Sequence, residues 1–329
     1  MRDPHVPGFI DFGDVVYTHT INELAIAIAY ATMAKPDPLE AACHIVRGFN
    51  RIVKITEDEL AALFPLIAAR LLISVTCAEL NRAEHPENVY LQISDASAWE
   101  LLEKLRTISP DLAQYSFRSA CGLEPCPTYS QFTAWASSHY QDVRFTIKKN
   151  KDPLWLDLSV GSLDIGNLKN LLDPNLLDRK ILELISDADA SFAIGRYNEA
   201  RVFYTTDAFA SQGNDSLCWR TVHTGMDFFS KEGTEVLVVW DGTVHSFANN
   251  SGDRDYGPTI VLQHLVSKDL VFYTLHGHLT ADSIASLKIG HTVKKGDVLG
   301  RIGSRKENGN WPPHLHFQII LDMLGKQED

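Results

Sequence analysis

Three short stretches toward the C-terminal end carry residue types that bind metals and move protons: His223-Thr224-Gly225-Met226-Asp227, His276-Gly277-His278 and His314-Leu315-His316. Imidazole and carboxylate are the ligands a catalytic zinc takes, with a further position left for water. Such an ion brings the pKa of its water toward neutrality and polarises a carbonyl, while a neighbouring imidazole can carry the proton. Alternate side chains of an extended segment share a face, so spacings of two and four both return to one side. His223 and Asp227 would also share a helical face, but Gly225 and the flanking aromatic and β-branched residues disfavour a helix. Three neighbouring strands could therefore aim all six side chains into one groove. Each cluster alone also fits an ordinary polar strand face, a turn-capping His223 or a surface carboxylate at Asp227. Their joint occurrence within about a hundred residues favours metal chemistry over coincidence. His245, His264 and His291 are expected to be structural.

The elements that must position these residues are strands. From Ala193 onward, runs such as "EVLVVWDGTVHSF", "PTIVLQHL" and "LVFYTLHGHL" are β-branched and alternating, with Gly, Asn and Asp between them, which predicts an antiparallel β domain. The first 120 residues read differently. "NELAIAIAYATMAKPDP", "PLEAACHIVRGFNRI", "TEDELAALFPLIAARLLISVTCAEL" and "SAWELLEKLRTI" repeat apolar residues at helical spacing, and Thr56 with Glu59 makes a capping box at the start of the third. Between 121 and 190 the pattern weakens into short segments punctuated by Pro and Gly. The expected organisation is α+β and multidomain: a helical domain over 1–120, a connecting region over 121–190 and an antiparallel β-sheet domain over 191–329.

Composition narrows the function classes. The chain has 329 residues, 42 acidic against 30 basic, and a net charge of -12, with no basic stripe to follow a phosphate backbone, so nucleic acid is excluded as a partner. The opening "MRDPHVPGFIDFGD" has no apolar core of a secretory signal, which predicts a cytoplasmic protein. Leu24 to Ala34 is too short to span a bilayer and Leu60 to Leu80 is interrupted by Pro65 and Arg70, so both are expected as buried helices rather than membrane spans. The five cysteines lack zinc-module or redox spacing and are expected reduced.

"HTGMDF", "GTEVLVVWDGTV", "YGPTIVLQH", "HGHL", "GHTVKKGDVLGRIG" and "PPHLHFQI" together resemble, in order and spacing, the lysostaphin-type zinc endopeptidases, which cut peptide cross-links of bacterial cell walls. The likeness runs from about residue 195 to 320. It implies zinc as cofactor, His223, Asp227 and His316 as its ligands, His314 and His278 as catalytic histidines, and a peptide or peptidoglycan-like substrate. This chain departs from that family in having His276 where Tyr is usual, which adds an accessory imidazole to the expected site, and Pro312 where Gly is common. "DGTV" and "GHTVKKGDVLG" are also similar to the hairpins of biotinyl and lipoyl carriers, but no lysine sits at the tight turn those carriers require.

"GFIDFGD" followed by "INELAIAIAY" resembles the C-terminal lobe of aminoglycoside-phosphotransferase and choline-kinase-like proteins over about residues 8–110. The likeness makes Asp11 a vestigial magnesium site. Phosphotransfer also needs a catalytic loop and a nucleotide lobe upstream of it, so a helical packing domain is expected instead. A kinase-like lobe followed by a peptidase domain is similar to the front of fusions that continue into a class III aminotransferase. The implied partners are thus a missing kinase-like lobe or an aminotransferase domain. The function expected is metal-assisted amide hydrolysis by a zinc metalloendopeptidase; the alternatives are a non-catalytic binding or assembly module and a phosphotransferase-like subunit.

Overall fold

The computed structural model describes residues 15–85, 95–139, 146–148, 151–165, 173–204 and 206–327. The chain divides into two compact units, Met1–Pro125 and Cys126–Asp329.

The first unit is helical among its described residues: α1 (Thr20–Ala31), α2 (Pro38–Asn50), α3 (Glu57–Glu84), α4 (Asp95–Arg106) and α5 (Pro110–Ala120). Helix starts are written in the sequence. Asp37 accepts from the Glu40 amide ahead of Pro38, and Thr56 and Glu59 form the expected reciprocal capping box. Leu24, Ile28, Val46, Leu60, Leu63, Leu71, Leu101 and Phe117 meet in one core. Pro65 lies inside α3 without ending it, in keeping with the single helical segment read from the sequence. An interior proline costs a helix about 3 kcal/mol, and the burial of Leu60, Leu63, Phe64, Ile67 and Leu71 on either side of it offsets that. The helix is consequently long and apolar enough to cross a membrane by length and composition. One of its faces lies in this core, while Leu72, Ile73 and Leu80 are exposed. Asp11 lies outside the described residues.

In the second unit the strands are β1 (Leu154–Leu156), β2 (Ala193–Gly195), β3 (Glu199–Ala200), β4 (Ala210–Gln212), β5 (Leu217–Trp219), β6 (Val222–His223) and β7 (Met226–Phe229). They continue with β8 (Glu235–Leu237), β9 (Gly242–Asn250), β10 (Gly257–Ser267), β11 (Leu270–Gly277), β12 (Thr292–Val293), β13 (Val298–Arg301) and β14 (His314–Ile320). Eight of them form one sheet in the order β1-β2-β7-β14-β11-β10-β9-β12, antiparallel except for β1 beside β2. Alternation sorts its side chains. Ile194, Phe228, Ile260, Leu262 and Leu315 enter a core on one face, while Phe229 enters a second core with Leu158, Phe203 and Trp311. His314 and His316 flank Leu315 and so belong to the second face.

The 121–190 segment is more than the connector its weak pattern suggests, and the unit boundary falls at Pro125/Cys126. Helix α6 (Tyr129–His139) sets Phe132 and Trp135 against Phe272. β1 extends the sheet, and α7 (Pro174–Asp187) sends Leu177 and Ile181 into the second core. A three-residue strand such as β1 is too short to show a period, and Pro and Gly punctuate the segments around the two helices, which is why tertiary packing rather than local pattern defines these elements.

Candidate metal centre

His316 on β14 stands directly opposite Asp227 on β7, and His314 opposite Phe229, so all four side chains share the face away from Leu315. His223 does not lie on one extended segment with Asp227, as its spacing suggests. It ends the short strand β6, paired to β3, and the chain turns at Thr224-Gly225 before β7 begins. A Cβ on Gly225 would stand 2.5 Å from His316 Cε1, so the turn that brings His223 back over the sheet requires glycine there.

Three ligand-type atoms converge as a result. His223 Nε2 is 3.0 Å from His316 Nδ1 and 3.1 Å from Asp227 Oδ1, and His316 Nδ1 is 3.1 Å from the same oxygen. All three residues are buried. The ring nitrogens pointing away settle the tautomers: His223 Nδ1 donates to the Arg196 carbonyl at 3.0 Å, and His316 Nε2 donates to Gln318 Oε1 at 3.2 Å. Two imidazole lone pairs and a carboxylate oxygen therefore face one point, an arrangement that repels itself unless a cation sits among them. Tetrahedral bonds of about 2.0–2.2 Å place ligand atoms about 3.3–3.6 Å apart, so a divalent ion fits this near-equilateral triangle with a few tenths of an ångström of expansion. The donor set of two imidazoles and a carboxylate, with orienting hydrogen bonds behind it, suits such an ion chemically.

His314 and His278 stand beside the triangle. His314 Nδ1 donates to the Pro312 carbonyl at 2.7 Å, leaving Nε2 bare and 3.5 Å from Asp227 Oδ1. The Pro312 carbonyl thus orients this ring. His278 Nδ1 donates to the Asn308 carbonyl at 2.9 Å, and its ring centroid lies 4.3 Å from that of His314. Burial pushes the His314 imidazolium down to about 4 and lowers that of His278 well below its usual range, so both rings stay neutral near pH 7.

Asp227 carries a support that the sequence reading missed. Arg201, 2% exposed, donates from Nη1 to Asp227 Oδ2 at 2.6 Å and from Nε to Glu199 Oε2 at 2.8 Å, and Glu199 Oε1 accepts the Leu158 amide at 2.9 Å. Burial works against the charges on Asp227 and Arg201. When no cation is bound in the triangle, the His223 ring in its protonated form and the Arg201 guanidinium nevertheless hold the Asp227 carboxyl well below the usual range, and Asp227 in turn keeps the guanidinium charged. With Oδ2 engaged by Arg201, Oδ1 is left to face the histidines. Glu199-Ala-Arg201 offers no motif on its own; only pairing of β3 with β6 brings it there.

His276 is not part of this group. It pairs with Phe317 across β11 and β14 while Gly277 pairs with His316, so its ring lies on the opposite face, 5.3 Å centroid to centroid from Phe317. Spacing two fails for His276 and His278 because the strand ends between them: His278 has φ +64°, a left-handed conformation that turns its side chain to the metal face. The loss of one strand residue's geometry is anchored by the His278 amide donating to the Tyr256 carbonyl at 2.7 Å. The His276 ring is 1% exposed, and neither nitrogen meets a partner in hydrogen-bond geometry, although the Ile260 and Thr274 carbonyls are close. Burial, with His264 nearby, pushes its pKa down to about 3. Below pH 6.5 the unfolded chain binds a proton at this residue that the folded chain does not, so stability falls as pH drops toward 3. His276→Phe is expected to remove that component, up to about 1.4 kcal/mol per pH unit, and to leave catalysis intact; chemical denaturation at pH 7 and pH 4.5 measures it. His264, as expected, is structural, bonded to the Asp241 carbonyl and Thr274 Oγ1.

Comparison with known proteins bears on both units. Residues 221–327 match the family model for peptidase family M23. Hydroxylysine kinase of Mus musculus is 35% identical over 101 residues, 30% of this chain and 27% of that protein, through the N-terminal region. The DD-carboxypeptidase/endopeptidase Mpg of Neisseria meningitidis serogroup B is 33% identical over 104 residues, 32% of this chain and 21% of that protein. Among solved structures, the catalytic domain of the antimicrobial peptidase lysostaphin from Staphylococcus simulans is 28% identical, covering 33% of this chain and 76% of that one, with a TM-score of 0.24. The chain spans less than a third of the length of these curated relatives. The family match encloses His223, Asp227, His278, His314 and His316, and the chain therefore carries a lysostaphin-like peptidase family M23 domain at residues 221–327, behind a kinase-like N-terminal portion.

Proposed function

We propose that the chain is a zinc-dependent endopeptidase that hydrolyses an amide bond of a peptide substrate, with His223, Asp227 and His316 holding the metal. The observation that carries this reading is the triangle of buried lone pairs, 3.0–3.1 Å on each edge, whose tautomers are set from behind by Arg196 and Gln318. A zinc ion bound there supplies Lewis acidity for the carbonyl and a lowered pKa for an attacking water. The residues of the chain do the rest. His314 Nε2, bare and facing the triangle, accepts the proton of the attacking water and returns it to the leaving amine. His278 lies tilted beside it and offers a second bare, neutral nitrogen for the same proton transfer. Backbone carbonyls fix both rings, so no reorientation is needed during the reaction. Arg201 keeps Asp227 ionised and turned toward the metal position.

The test is hydrolysis of a panel of glycine-rich, wall-type and apolar peptides by the purified chain, with chelator and then with zinc restored. The expected outcome is cleavage of at least one peptide that chelator abolishes and zinc recovers. Cleavage indifferent to chelator would contradict the reading. A second reading, phosphotransfer by the first unit, is favoured by the 35% identity to a hydroxylysine kinase. It is the weaker one, since the described residues of that unit are helical and include no nucleotide-binding sheet.

A further inference from the structure

The metal triangle forms one end of a cavity of about 480 Å³ that also takes in His278 and His314. Part of its remaining lining is apolar and aromatic, from Leu158, Leu177, Phe203, Phe209, Trp219 and Trp311, and the rest is polar, with Arg220, Arg254 and Asp255. Five of these six lie before residue 221, outside the span matched by the peptidase family model. The wall is built rather than accidental. Phe203 meets Tyr204 and Trp311 at centroid distances of 5.3 and 5.7 Å, and Tyr204 meets Phe209 at 4.7 Å, so the rings brace one another. Trp219 and Val222, also on the lining, remain 43% and 47% exposed, apolar surface that none of the described residues covers. A glycine-rich peptide laid across the triangle would leave this exposed apolar surface bare, whereas a bulky apolar side chain next to the scissile amide would cover it.

We infer that the substrate is a peptide carrying an aromatic or large aliphatic side chain beside the bond that is cut, and that Trp219 and its neighbours form the subsite that selects it. This inference rests on the metallopeptidase reading and adds its substrate class. N-acetyl-phenylalanine hydroxamate and N-acetyl-glycine hydroxamate separate the two, since both present the same metal-binding group and differ by one benzyl group. Calorimetry on the zinc-loaded chain is expected to give about tenfold to hundredfold tighter binding of the phenylalanine compound, the factor that burying a phenyl side chain supplies. Trp219→Ala should shrink that preference to within about threefold and leave the glycine compound's affinity unchanged; Trp219 is partly exposed, so the fold tolerates the change. If both compounds bind equally to wild type, the subsite is refuted while the metal site stands. If neither binds the zinc-loaded chain, or both bind the zinc-free chain as well, the metal reading falls and this inference with it.

Discussion

His314→Ala is expected to leave metal content near that of wild type and to slow amide hydrolysis by about a hundredfold to ten-thousandfold, the usual cost of one proton-transfer group. His316→Ala should abolish both. The two residues share a strand and a face, so the contrast isolates role from location. His316 Nδ1 lies at 3.0 and 3.1 Å from the other two ligand atoms, whereas His314 Nε2 approaches Asp227 Oδ1 at 3.5 Å and is not one of the three mutually adjacent ligand atoms. His278→Ala should behave as His314→Ala does. The double variant should lose less than the product of the two single losses if both rings act on one transition state. Elemental analysis and steady-state rates on a peptide that wild type cleaves decide the matter. Full activity in His314→Ala would remove that ring from the mechanism.

The second large effect is expected at Arg201. Arg201→Met leaves Asp227 and Glu199 as buried carboxylates without their shared cation, and breaking a buried ion pair from one side costs about 3–5 kcal/mol. Residues that orient a metal ligand from behind also typically cost tenfold to a hundredfold in metal affinity when lost. The variant should therefore both unfold at lower denaturant and hold its metal more weakly. Adding Glu199→Gln removes one of the stranded charges and should recover part of the stability without restoring the affinity, because Asp227 Oδ2 stays unengaged. Denaturant titration together with zinc competition measures both; unchanged metal affinity in Arg201→Met would show that Asp227 needs no such support.

The site was legible where chemistry and strand register coincide. His314 and His316 could be placed on one face because β14 is a regular strand, and Asp227 joined them because β7 pairs with it directly. Reasoning from spacing failed where the backbone departs from regularity. His276 and His278 are two apart, but the left-handed φ of His278 ends the alternation and sends the two rings to opposite faces. The same limit hid Arg201 and Glu199, which reach Asp227 through a two-residue ladder between β3 and β6 that has no pattern of its own. On the scale of the fold, the helices of the first unit showed in their apolar repeats and caps. The 126–190 elements did not, since β1 has three residues and takes its place only by pairing with β2, and the two helices lie among segments punctuated by Pro and Gly whose apolar residues find their partners on the sheet.

The central claim is that the buried triangle of His223, Asp227 and His316 is a metal centre. Its most direct test is the metal content of the chain purified without chelator, read by elemental analysis before and after exposure to zinc and extensive buffer exchange. The account predicts close to one zinc per chain in wild type and close to none in His223→Ala, Asp227→Ala or His316→Ala. Wild-type protein that carries no zinc and takes up none would contradict it.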